Sequence, residues 1–487
     1  MPYVYPNPTS MENQFKQSHK AIILSIPFAR LFKSHLQDEF ISLFPHENDI
    51  IIASPFAASS EIFNKINEKY SHITVPLIDR FSKFKRFLVR LLLMMRMRGY
   101  WRKNRKYLVF FWKNRFSSFG EVETPITNIF LKLVLDMIYW IGEKRSIILI
   151  LDNLIGFIIY RCSELEDVIK KYDSIVIVQS SAWGYQSNLL SWYSKKFNIK
   201  NILIPYTTDQ LFNVGHLSEF NYVCVQGPSE YRFAESLHCI PRTNILPLGS
   251  LQMRAHRVHL NIMEKSMDTQ KIILEKKTYK YHIIYAGLSP KCFPQAVEIK
   301  ALNFLLENLA SDTFKIIYRP FGDFGEDILD SVKLLMTHAN FEVSILSGYH
   351  IQMDKFHGAA AKIIDNEYTI ECSKLFNQHT ILVTSLTTSL SLDAAFFNTP
   401  TIAFYPDDDL SIYEISRIND FMLTLDSKDE IIGFEKIPVA IGLKMLLDIV
   451  QSLAVDSNLR KLIANNLLSE WDYFNKDFAN IITQISQ

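Results

Sequence analysis

Residues 384–400 read TSLTTSLSLDAAFFNTP: six hydroxyl side chains (Thr384, Ser385, Thr387, Thr388, Ser389, Ser391), one carboxylate (Asp393), then an apolar run closed by Pro400. TILVTS (380–385) has the composition of a strand and LSLDAAFF that of a helix. The hydroxyls therefore fall at a strand's carboxyl end and a helix's amino end. Outward N–H groups and the helix dipole favour an anion there, and added hydroxyl donors would hold a pyrophosphate without a glycine-rich loop. Thr388 and Ser389 are the expected contacts, with Ser385 at the strand end. Asp393 lies one turn below Ser389 on the same face, where a carboxylate accepts hydrogen bonds from a ribose diol. The same residues equally fit a hydroxyl-capped core helix with Asp393 as its first-turn dipole partner.

Two further groups could share such chemistry. YAGLSPK (285–291) places Gly287 and Ser289 in a strand-to-helix loop, as donor-phosphate contacts or as a plain turn. Asp209, in IPYTTDQLFNVG, follows a strand and is the candidate base for an acceptor hydroxyl, with a loop cap as its structural alternative. Asp407, Asp408 and Asp409 read as a solvated loop, and His350 and His357 match no zinc spacing. P-loop, GxGxxG and GxSxG motifs are absent.

The elements that must position these groups alternate short β-branched runs with longer amphipathic stretches, the pattern of parallel sheets flanked by helices. The first half supplies strands at 21–27, 49–54, 174–180, 201–206 and 222–227; the second restarts at 281–287, 315–320, 361–366, 380–385 and 400–406. The expectation is an α/β protein of two Rossmann-like, doubly wound domains facing a cleft. Residues 1–255 form the acceptor-binding domain, with a basic amphipathic insertion at 80–116. A polar connection follows at 256–280, then the nucleotide-donor domain at 281–457. A helical segment at 458–487 packs back towards the first domain.

Four segments in order carry a resemblance. In residues 384–400 a hydroxyl pair precedes an acid, and that acid precedes proline by seven positions. Residues 172–215, 220–250 and KIIYRP (315–320) supply the others. Together they resemble GT-B glycosyltransferases, in particular the capsule and teichoic-acid polymerase group related to CDP-glycerol glycerophosphotransferases, over roughly residues 172–406. The resemblance implies that Thr388 and Ser389 meet donor phosphates, Asp393 the ribose, and Arg319 the departing phosphate. Relatives often carry His after the Arg-Pro pair, whereas Phe321 stands here. That departure weighs against polyol-phosphate transfer and leaves sugar transfer as the expected reaction. A nucleotide-sugar epimerase of the same fold is the alternative, and a non-catalytic binding module the alternative of a different class.

Residues 80–115 hold thirteen Lys or Arg and no acid, although the whole chain carries a formal charge of only +1. On a helix over 81–98, Phe84, Leu88, Leu91 and Met95 would line one side and Lys83, Arg86 and Arg90 the other, with Arg98 at its end. Such a helix fits an anionic membrane surface better than nucleic acid. Five scattered cysteines without CxxC spacing fit reduced thiols, and the first residues lack signal-peptide features. The expected partners are a nucleotide-activated donor, a glycan or lipid-linked acceptor and the inner face of the cell membrane, in a cytoplasmic, peripheral protein. No cofactor or metal is expected, because hydroxyls, helix terminus and arginine neutralise the leaving group.

Overall fold

The computed structural model describes residues 20–27, 38–55, 70–76, 81–89, 91–92, 137, 140–141, 144–181, 184–205, 220–236, 240–265, 279–288, 293–320, 326–344, 366–385, 388, 390–406, 437–471 and 478–485. In the first half the strands are β1 (Lys20–Ser25), β2 (Asp49–Ser54), β3 (Ser71–Thr74), β4 (Ser174–Gln179), β5 (Lys200–Leu203), β6 (Tyr222–Val225) and β7 (Ile245–Pro247). They pair in the order β3-β2-β1-β4-β5-β6-β7, all parallel. The second half forms β8 (Tyr281–Ala286), β9 (Phe314–Arg319), β10 (Phe341–Val343), β11 (Thr380–Ser385), β12 (Thr401–Tyr405) and β13 (Val439–Ile441), ordered β10-β9-β8-β11-β12-β13 and again parallel. Both orders reverse direction beside their first strand, which is the doubly wound arrangement with its crevice outside the carboxyl ends.

Continuous apolar composition explains why these strands are central. Ile22, Ile23 and Leu24 in β1, and Ile381, Leu382 and Val383 in β11, are all fully buried, as a sheet covered on both faces demands. The edge strands β3, β7, β10 and β13 read SHIT, ILP, FEV and VAI, too short to announce themselves by periodicity. Of the strand expected at 361–366, residues 361–365 lie outside the described residues, and Asn366 instead opens a helix.

Covering and connecting helices are α1 (Asp38–Ile41), α2 (Arg145–Ile159), α3 (Ser163–Lys171), α4 (Gly184–Phe197), α5 (Pro228–Ser236), α6 (Leu251–Lys265), α7 (Gln295–Asn308), α8 (Glu326–Leu335), α9 (Asn366–Leu375), α10 (Leu390–Phe396), α11 (Gly442–Val455), α12 (Ser457–Trp471) and α13 (Phe478–Ile485). Gly249, at φ 88°, makes the turn from β7 into α6 in a conformation that costs other residues dearly. Helix α6 touches both halves. Arg254 donates to Ser42 Oγ at 3.1 Å beside α1, while Met253 is buried with Leu392, Ala395 and Leu467 of the second domain. The expected junction between residues 255 and 256 therefore falls inside one helix. At the other end of the chain, Ile482 of α13 is buried among Ile22, Leu24 and Phe44 of the first domain's core. Among the described residues no helix is long and apolar enough to cross a membrane.

Candidate functional site

At the crevice of the second sheet, β8 leads into Gly287 and Leu288, β9 ends in Arg319 and β11 in Ser385. Beneath them lies Glu298, in the first turn of α7, fully buried. Its Oε1 accepts from the Leu288 N–H (2.8 Å) and from Ser385 Oγ (2.9 Å), and its Oε2 accepts from the Tyr318 hydroxyl (2.6 Å). Tyr285 completes the cluster, its hydroxyl 3.1 Å from Ser385 Oγ. One carboxylate thus ties the ends of β9 and β11 to the first crossover loop. Burial pushes the Glu298 carboxyl up to about 7, against the lowering effect of its three hydrogen bonds. The Tyr285 and Tyr318 phenols are held well above their usual range, first by burial and then by the neighbouring carboxylate.

Gly287 is required by the same carboxylate. A Cβ at this position would sit 2.5 Å from Glu298 Oε2. The Gly287 N–H donates to the Arg319 carbonyl at 2.8 Å, locking the first turn to β9. Arg319 is buried beside Ala286 in register, at the carboxyl end where the sequence places it. Glu298 is a functional candidate that the sequence reading missed. A signal existed: an acid at position 298 sharing the apolar helix face of Ala301, Leu302 and Leu305 has to be buried and hydrogen-bonded.

The hydroxyl cluster divides. Ser385 is buried with its hydroxyl committed to Glu298 and Tyr285, beneath the crevice floor. Thr388 is half-buried and caps α10: its Oγ1 accepts from the Leu390 N–H at 3.4 Å and its carbonyl from the Ser391 N–H at 3.0 Å. Ser289, Ser389 and Asp209 lie outside the described residues, as do Phe321, His350, His357, Arg90, Arg98 and the 407–409 acids.

Asp393 is enclosed by partners from two other helices. It is fully buried; Oδ1 accepts from His256 Nε2 at 2.8 Å and from the Gln252 amide, and Oδ2 accepts from the Tyr368 hydroxyl at 2.7 Å. The His256 ring stacks against Tyr368 and Phe396, and its Nδ1 lies 3.1 Å from Thr369 Oγ1. These contacts clasp α6, α9 and α10 together around the carboxylate that the resemblance assigns to the ribose. The physical reason is that α6 covers this side of α10 and brings two donors with it. His256, Cys372 and Asp393 have donor atoms within 4.8 Å of one another, the chemical set that can hold a zinc-like ion.

At the carboxyl end of the first sheet, several described side chains bond neighbouring strand ends, and the buried Glu230 accepts from the Gln226 N–H. Ser180 Oγ donates to the Ser25 carbonyl (2.8 Å), and the Gln186 amide donates to Ser25 Oγ (2.9 Å) and the Ala53 carbonyl (2.8 Å). On the basic helical turn at 83–89, Lys83 is exposed, whereas Arg86 is half-buried with its guanidinium donating to the Phe81 carbonyl (3.2 Å). Phe84 does not share the buried face with Val89 and Leu92; it is 70% exposed.

No protein-family model matches the chain, and no curated protein matches it. Solved structures do. A UDP-GlcNAc 2-epimerase from Neisseria meningitidis bound to UDP-GlcNAc aligns over 96% of this chain and 99% of its own, at 9% identity and a TM-score of 0.50. A glycosyltransferase from Rickettsia africae aligns over 96% and 99% at 10% identity (TM-score 0.45), and the wall teichoic acid polymerase TagF over 96% and 87% at 11% identity (TM-score 0.42). At this identity the first likeness speaks for the fold: two Rossmann-like domains in the GT-B arrangement.

Proposed function

We propose that the protein is a GT-B enzyme that moves a sugar from a nucleotide-activated donor to a glycan or lipid-linked acceptor in cell-surface polysaccharide synthesis. In this reading it works on the cytoplasmic face of the membrane. The observation that carries the reading is the floor of the second crevice. A buried Glu298 ties the carboxyl ends of β9 and β11 to the turn after β8, and a buried Arg319 stands at the end of β9. Rigid donors aimed where charge develops are the main resource for expelling a diphosphate. In the proposed mechanism Arg319, the N–H groups of the turns after β8 and β11, and the hydroxyls of Ser289, Thr388 and Ser389 take up that charge. Asp209, from the first domain, takes the acceptor's proton. Neutralisation by these groups requires no metal.

The epimerase reading is favoured by one observation, the full-length fold match to a 2-epimerase. Phe321 in place of His keeps polyol-phosphate transfer behind both.

Thermal-shift measurements with UDP, CDP, GDP, ADP and CMP test the donor site. A ligand at a hundred times its dissociation constant adds about 2.7 kcal/mol of stability. Stabilisation by one nucleotide, reduced in Arg319→Ala and in Thr388→Ala/Ser389→Ala, supports the reading; no shift with any of them defeats it. Incubating the matching sugar nucleotide without acceptor then separates the two chemistries, since only an epimerase returns an epimerised sugar nucleotide.

A further inference from the structure

Helix α2 (RSIILILDNLIGFII) is mainly apolar in sequence, with Arg145, Ser146, Asp152 and Asn153 its polar residues. One face is held against the first domain: Ile159 is buried there, and Gly156 lets the helix approach the Trp192 indole so closely that a Cβ would collide with it. The opposite face carries Ile150, Leu154, Phe157 and Ile158, spaced i, i+4, i+7 and i+8, with Leu154 68% and Phe157 66% exposed. A helix apolar on its outer face is normally covered by something.

The exposure is concentrated rather than scattered. Among the described residues, eight of the fifteen large apolar side chains left exposed lie between residues 84 and 158. A row of ring contacts joins the two helical elements: Phe157 to Trp192 (5.6 Å), Trp192 to Tyr160 (6.2 Å), Tyr160 to Tyr185 (5.7 Å) and Tyr185 to Phe81 (5.1 Å). Phe81 leads directly into the turn that exposes Phe84 and Phe87.

Cations rim this surface. Lys85 sits 4.0 Å from the Phe81 ring centroid, Lys144 5.6 Å from Trp140, and Lys196 4.9 Å from Trp192, the last also paired with Glu166 at 3.1 Å. The chain then adds the acid-free stretch 80–115 with its thirteen Lys or Arg. An apolar stripe bordered by long cationic side chains and aromatic rings is complementary to an anionic lipid surface, with cation heads at the phosphates and rings at the acyl boundary. At fifteen residues α2 is about 22 Å long, too short for the ~30 Å hydrocarbon core.

We propose that the outer face of α2, together with Phe84 and Phe87, is the bilayer-docking surface, lying in the plane of an anionic leaflet. This extends the membrane part of the proposed function and names the face that carries it.

The test is co-sedimentation with vesicles of phosphatidylcholine alone and of equal parts phosphatidylcholine and phosphatidylglycerol. Wild type is expected to sediment with the mixed vesicles and less with the neutral ones. Leu154→Glu/Phe157→Glu is expected to lower that partitioning by more than about tenfold, since each side chain loses the gain from burial in lipid. Leu334→Glu, on α8 and 67% exposed, is expected to bind like wild type. Lys83→Glu/Lys85→Glu leaves the stripe intact and is expected to abolish the preference for anionic vesicles. Far-UV circular dichroism and the nucleotide thermal shift, run on the same samples, separate loss of docking from loss of fold and from failure of the donor reading. Equal partitioning of wild type and Leu154→Glu/Phe157→Glu overturns the proposal. So does a wild-type dimer, seen by light scattering, that the double substitution turns into a monomer without any vesicle binding.

Discussion

Nε2 of His256 lies 2.8 Å from Oδ1 of Asp393, and both side chains are fully buried. The pair spans a long stretch of sequence, from the helix that leaves the first sheet to the helix that follows β11. Tyr368 and Gln252 take up remaining acceptor positions of the carboxylate. A carboxylate so enclosed is stabilising only while its donors are in place.

Removing both partners is therefore expected to cost less than the sum of removing each. His256→Ala and Asp393→Ala should each lower unfolding stability by about 3–5 kcal/mol. The double variant should fall well short of the sum, leaving a coupling energy of more than about 1 kcal/mol. Urea unfolding of the four proteins measures it; additive losses would mean that the two side chains do not interact.

Glu298 gives a signed dependence on pH. Burial holds its folded carboxyl up at about 7, against about 4.5 for an exposed glutamate, so between those values the native state holds a proton that the unfolded state has released. Stability contributed by this group is present below about 4.5 and is lost as pH rises to about 7, on the order of 3 kcal/mol in total. Glu298→Gln should show a flatter stability profile between pH 5 and 8 than wild type. Chemical denaturation across that window checks it, and parallel profiles would remove Glu298 as the source.

Gly287→Ala is expected to destabilise by about 1–3 kcal/mol, because the new methyl group meets Glu298 rather than open space. Pairing it with Glu298→Ala should recover much of that loss. Thermal midpoints of the single and paired variants decide the matter, and no recovery would place the strain elsewhere.

Arg319→Ala is expected to weaken nucleotide diphosphate binding by roughly ten- to a hundredfold, the range of one or two charge-assisted hydrogen bonds. Arg319→Lys should recover part of that loss, since a point charge remains but the fork is gone. Isothermal titration with the nucleotide identified by thermal shift measures both; equal affinity in all three proteins would remove Arg319 from the donor site.

Much of the architecture was legible in the sequence, because buried parallel strands are written as continuous apolar runs. DIIIAS, SIVIVQ, YHIIYA and TILVTS announce themselves in this way, and the turn after each is where a crevice had to be sought. The position of Arg319 at a strand's carboxyl end followed from the same local pattern. The edge strands did not, since three or four residues carry no period.

What only the tertiary structure decided is which way the polar groups of the site point. Position along a helix places Asp393 one turn below the hydroxyl cluster, but whether that face meets a crevice or another helix depends on where α6 lies, and that is a long-range packing outcome. The same holds for Ser385, drawn beneath the strand ends by a carboxylate 87 positions away. It holds for α2, whose apolar outer residues are indistinguishable in sequence from those of a core helix until the described structure shows Ile150, Leu154, Phe157 and Ile158 exposed. Local propensity and periodicity are encoded within a few neighbouring residues, whereas burial, hydrogen-bond partners and exposure are properties of residues brought together from distant parts of the chain.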